Sequence, residues 1–172
     1  MKTFPKVVLA VYTAVLLWLI LFKFSVHIDA VLHYDRRSLN LVPFSDASGS
    51  VGEMLDNVLV FIPFGVLLGV TCKRLNVWRK LLVVLAFSLT VEVLQYVFAI
   101  GASDITDVIA NTFGGLLGLM AYDLGRRHIR KESLDRFIVT AGSAFLAVFL
   151  LLLAVVEIRH GVRYHLPHTR GN

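Results

Sequence analysis

The chain has 172 residues, is 57% hydrophobic with a mean hydropathy of +0.75, and carries a formal net charge of +5. Soluble domains are only about 45–50% apolar, so an ordinary soluble globule is excluded. The single cysteine, Cys72, also excludes an intramolecular disulfide framework or a multi-cysteine metal centre.

The basic residues flank long apolar runs, which reads as anchoring at a membrane and not as a nucleic-acid surface. His27, His33, His160, His165 and His168 show no metal-ligand spacing, and neither a metal nor a cofactor is expected. Lys2 and Lys6 followed by an apolar stretch resemble a signal peptide. No small-x-small cleavage site follows, so an uncleaved first helix is expected.

Five spans are expected, at about 4–24, 53–72, 81–100, 104–122 and 137–156. Each approaches the ~20 residues that cross a ~30 Å hydrocarbon core at ~1.5 Å per residue. The fold class is therefore all-α, a polytopic transmembrane helix bundle. In the second span, Ser50 followed by Glu53 forms a capping box. Pro63, mid-span, lacks an N–H and frees the carbonyl of Leu59.

Lys and Arg are divided unevenly between the two sides. The N-terminus and the loops 73–80 and 126–136 hold eleven, against six in the segment 23–56, the turn 101–103 and the tail. By the positive-inside rule the first set is cytoplasmic, with the N-terminus in and the C-terminus out. Nine of the twelve acids fall in outward loops or outer half-helices.

Glu92 is the first candidate site residue. It precedes Ile100 by eight residues, roughly 12 Å inside the outer end of its helix. An acid at that depth is costly and points to function. Gln95 follows three residues later on the same face. Asp104, Asp107, Asn111, Gly114 and Gly118 form one helical stripe, with the polar members outermost. Asn111 lies roughly 10 Å below Asp104, near the depth of Glu92. Depth arithmetic therefore pairs Glu92 with Asn111 and Gln95 with Asp107.

Asn57 joins this set from the second helix, one turn inside its outer end. Gly65…Gly69 and Gly114…Gly118 allow close packing of the second and fourth helices against neighbours. The outer loop adds Arg36, Arg37 and Asn40 as candidate headgroup contacts, with arginine suited to an anionic group. The structural alternative is that Asn and Gln act as interhelical hydrogen-bond glue, with Asp104 a helix N-cap.

The runs Asn40-Leu41-Val42-Pro43-Phe44, Asn57-Val58-Leu59-Val60-Phe61-Ile62-Pro63-Phe64-Gly65, Glu92-Val93-Leu94-Gln95 and Asp104-Ile105-Thr106-Asp107-Val108-Ile109-Ala110-Asn111-Thr112-Phe113-Gly114-Gly115 resemble the VanZ-like family in order and spacing. The resemblance covers roughly 7–122, about two-thirds of the chain. It implies a four-helix membrane domain over 1–125; the basic cytoplasmic loop, fifth helix and His-containing tail expected over 126–172 are not covered by it. The founding member is associated with low-level resistance to teicoplanin, a lipidated glycopeptide that acts at the outer face of the cytoplasmic membrane.

Three functions are weighed. The first is a binding protein of the bacterial cytoplasmic membrane whose outward polar pocket holds an envelope lipid, a lipid-linked precursor or a lipoglycopeptide. The second is a membrane enzyme using Glu92 and Asp107 for acid–base chemistry on an envelope lipid. The third is a proton-coupled transporter, which at this size requires a homo-oligomer. No nucleophile beside a base, metal cluster or phosphate loop is present in the sequence to strengthen the enzyme reading.

Overall fold

The computed structural model describes residues 3–21, 38–45, 48–99 and 102–164. Its elements, in order, are α1 (Phe4–Leu21), β1 (Ser38–Asn40), α2 (Val51–Thr71), α3 (Val77–Phe98), β2 (Ala102–Asp104), α4 (Ile105–His128) and α5 (Lys131–Tyr164). All five helices are long and apolar enough to cross a membrane, and the expected helix bundle is found. The protein is a multi-pass membrane protein.

At the basic end α3, α4 and α5 outrun the expected spans, because hydropathy marks only the part that crosses lipid; the expected end of the first span, 22–24, lies outside the described residues. Asn76 caps α3 by accepting from the Arg79 N–H at 2.9 Å, so Arg79 and Lys80 fall inside the helix and not in a loop. α4 continues through Arg126–His128, basic residues that suit the negative end of its dipole. Ser50 caps α2 as expected, accepting from the Glu53 N–H at 3.2 Å.

The strands are the one element without a sequence expectation. Three residues are too few for an alternating pattern to register. They pair in parallel, Ser38 with Ala102 and Asn40 with Asp104, which is possible because α2 and α3 together form the crossover between them.

Contacts fix the helix directions. Thr71 of α2 reaches Pro5 of α1, and Gln95 of α3 reaches Ile20 of α1. Thus α1 and α3 run one way and α2 and α4 the other. α5 starts at the basic end, where Asp135 meets both Lys73 and the Tyr122 hydroxyl. The opposite end carries the strands.

α2 and α4 form the central seam, side by side in the same direction. Asn57 meets Asp107 at the strand end, and Gly69 lies against Tyr122 towards the basic end. Each helix carries nearly the same run, Phe64-Gly65-Val66-Leu67-Leu68-Gly69 and Phe113-Gly114-Gly115-Leu116-Leu117-Gly118. The glycines face each other's backbone. A Cβ on Gly114 would meet the Val58 carbonyl oxygen, one on Gly118 that of Ile62, and one on Gly65 that of Gly115. Neither helix can approach so closely with side chains at these points.

Around the seam, Phe61, Phe64 and Phe87 form an aromatic cluster with centroids 5.2–6.1 Å apart. Pro63 sits within continuous helix. Expectation placed the freed carbonyl at Leu59. In the turn that Pro63 interrupts, the buried Tyr12 hydroxyl of α1 donates instead to the neighbouring Val60 carbonyl, at 2.7 Å. The outer surface is apolar, with Trp78, Phe98, Phe137 and Phe145 all more than half exposed. Such a belt is incompatible with water and suits hydrocarbon.

Candidate functional site

The sequence candidates gather at the strand end, though mostly with partners other than those expected. Asn40, the last residue of β1, is the hub of a small clasp. Its amide nitrogen lies 2.8 Å from Ser45 Oγ, 3.1 Å from Ser48 Oγ and 3.0 Å from Asp104 Oδ2, while its oxygen accepts from the Val42 N–H at 3.1 Å. Its polar atoms are spent holding the loop, so Asn40 positions the site.

Asp104 is the N-cap of α4, accepting from the Thr106 N–H at 2.7 Å. Burial pushes its carboxyl up. The bonds from the Thr106 amide and hydroxyl, Asn40 and Ser48 outweigh that and hold it below the ordinary carboxylate value. Thr106 Oγ1 in turn accepts from the Phe44 N–H at 3.0 Å and shares a hydrogen bond with Ser48 Oγ at 2.9 Å.

Glu92 fastens this clasp to α3. Its Oε2 accepts from the Asp104 N–H at 2.9 Å, and its backbone carbonyl accepts from Ser103 Oγ at 2.6 Å. Glu92 and Asp104 are each 6% exposed. One carboxylate therefore holds the end of β2 and the start of α4.

The expected pairings are corrected. The Asn111 amide donates to Ser88 Oγ at 2.9 Å, one turn further in than Glu92, and both residues are fully buried. The antiparallel register of α3 and α4 sets this, since Val84 likewise faces Gly115 one turn deeper still. Asp107 meets Asn57 of α2, whose amide donates to its Oδ1 at 2.8 Å. Gln95 turns to α1, donating to the Ile20 carbonyl at 3.1 Å. Three residues of helix rotate a side chain by about 60° from its neighbour on the same face, enough to send Glu92 and Gln95 to different partners.

Asp104 ends β2 and precedes the helix, so the stripe properly begins at Asp107. Arg36 and Arg37 lie outside the described residues. Ser45, Ser48, Ser88, Ser103 and Thr106 were not singled out from sequence. Ser88 had a signal, standing four residues before Glu92 on one helical face. The loop serines had none, because their role depends on strand pairing. Among the described residues, Gln95 Oε1 and Asn111 Oδ1 are buried acceptors with no donor from the protein.

Beside the clasp is a groove of about 300 Å³ between the β1 loop, α3 and α4. Leu39, Leu41, Leu89, Val93, Tyr96 and Val108 supply its walls; Glu92, Ser103 and Asp104 also border it, but they are buried and the surface it presents is almost wholly apolar.

Five membrane-spanning helices, a glycine seam and a buried polar cluster beside an apolar groove define a small multi-pass membrane protein. The VanZ/LLP1 family model matches residues 9–126. Protein VanZ of Enterococcus faecium is 47% identical over 159 residues, covering 92% of this chain and 95% of that protein. The chain belongs to the VanZ/LLP1 family. The likeness to the enterococcal protein extends well past the family match, into α5. No solved structure matches the chain.

Proposed function

We propose that the strand end faces outward from the bacterial cytoplasmic membrane and holds a cell-envelope lipid, a lipid-linked precursor or a lipoglycopeptide. Such a role would serve glycopeptide (teicoplanin) resistance. The observation that carries this reading is the almost wholly apolar groove of about 300 Å³ that lies beside the buried Glu92–Asp104 cluster. Apolar walls at the end of a membrane bundle suit the apolar part of an amphiphile, and the eleven-to-six division of Lys and Arg supports the outward orientation.

Protein purified in mild detergent should retain one class of lipid or lipid-linked molecule enriched over the membrane extract, as read by mass spectrometry. A bound profile identical to the bulk membrane would defeat the binding reading.

Orientation is tested separately, in a Cys72→Ser background. An impermeant thiol reagent added to intact cells should label Ser38→Cys, exposed in β1, and leave Ser133→Cys, exposed at the start of α5, unlabelled until the cells are opened. The reverse pattern would place the groove on the cytoplasmic side and overturn the envelope reading.

A further inference from the structure

We infer that the groove beside the clasp seats a single acyl chain of an outer-leaflet amphiphile, which enters sideways from the lipid. This rests on the outward-facing reading above and assigns the part of the ligand that the groove takes.

Three observations carry it. First, the mouth opens on the flank of the bundle. Leu39, Leu41 and Val93 are each more than half exposed while lining the groove, and the flank is continuous with the apolar belt of α3 at Val97 and Phe98. Second, the size is that of one chain segment. A cavity of about 300 Å³ sits at the bottom of the roughly 300–1,000 Å³ range of ligand sites, and an entire glycopeptide or glycan-peptide head does not fit.

Third, the outer wall is built at a cost. Phe44 closes the Asn40–Phe44 turn with φ of 55°, a left-handed conformation that is unfavourable for a bulky residue. The Phe44 N–H bond to Thr106 Oγ1 and the Asn40 bonds hold that turn. A lipid anchor alone would not need it, because any apolar loop satisfies the interface.

The polar head of the amphiphile then lies above the groove, beside the clasp. A chain that moves from lipid into the groove gains packing but little hydrophobic free energy, since lipid is already apolar. The groove therefore selects by shape, and a chain that fits it enters whatever head it carries.

The test uses the full-length protein in phosphatidylglycerol nanodiscs doped with a phosphatidylglycerol carrying a diazirine in one acyl chain. A parallel set carries the same chain on a diacylglycerol without the phosphate head. After photolysis, mass spectrometry maps the adducts. Labelling should concentrate severalfold on Leu41, Val93 and Tyr96 over Phe145 and Leu151 of α5, which are exposed but lie outside this groove, and it should do so with both probes.

Val93→Trp should fill the groove and abolish the excess at Leu41. Leu41→Trp, read at Val93, serves if the first variant does not fold. Even labelling along α3 and α5, or an excess that survives both Trp variants, overturns the chain site. Concentration with the phosphatidylglycerol alone also overturns it, because the head and not the chain would then be selected. The binding reading itself stands or falls on the lipid profile of the purified protein.

Discussion

Gly118→Ala and Gly114→Ala should each disrupt the bundle, while Gly142→Ala should leave it as stable as before or slightly more so. All three add one methyl group to a helix, and in isolation Ala is favoured over Gly by up to about 1 kcal/mol. What differs is the space. At Gly118 and Gly114 the new Cβ would run into backbone carbonyl oxygens of α2, at Ile62 and Val58. Backbone cannot rotate away as a side chain can, so the helices must separate. At Gly142 the nearest atoms are side-chain methyls of Val8 and Leu67 at 3.8 and 3.9 Å, ordinary contact.

The seam variants should lose about 3 kcal/mol or more, the upper end of overpacking costs. They should also melt well below the parent in detergent, or fail to give a monodisperse peak. Equal thermal stability of Gly118→Ala and Gly142→Ala would mean that α2 and α4 do not pack along this face.

Glu92 divides the functional readings. Glu92→Gln keeps an acceptor for the Asp104 N–H and removes the titratable proton. It should fold and retain the clasp. Glu92→Leu strands that buried amide and should cost about 1–3 kcal/mol, visible as a lower melting temperature and easier proteolysis of the β1 loop.

If the carboxyl acts by holding the clasp, Gln should keep most ligand retention and Leu should lose it. If it transfers protons, Gln should lose activity with stability intact, and the enzyme or transporter reading would displace the binding one. The measurement pairs thermal stability with retained lipid, and with teicoplanin susceptibility of a host expressing each variant. A Leu variant that matches the parent in both would remove Glu92 from the site altogether.

Most of the architecture was legible because lipid imposes simple demands. Every span had to be apolar, about 20 residues long and flanked by charge, and the five helices contain the expected cores. The glycine pairs were legible as close-packing points, though not that they would face each other. The polar residues were legible as a set because acids and amides are scarce at such depth.

Their pairing was not, because a shift of one turn in the register between α3 and α4 re-partners every side chain. Depth arithmetic resolves about a turn and no better, so Ser88 took the place that it assigned to Glu92 opposite Asn111. Asn40 was read as reaching outward and instead turns inward. That follows from pairing between strands 64 residues apart, for which three-residue segments carry no local signal.

The parallel contact between α2 and α4 also bears on biosynthesis. Asn57 and Asp107 are separated by 50 residues, and α3 must leave the ribosome and turn back between them. At roughly 5–20 residues per second, α2 waits some ~3–10 s before its partner is made. Through that interval its bare glycine backbone and its Asn57 amide have no matching surface in the nascent chain, in a setting where an unmatched polar group is costly. Closure of the central seam therefore belongs to α4. Its arrival caps Asn57, covers the glycines of α2 and, through Asp104, draws the first strand into place, so the clasp is completed together with the core.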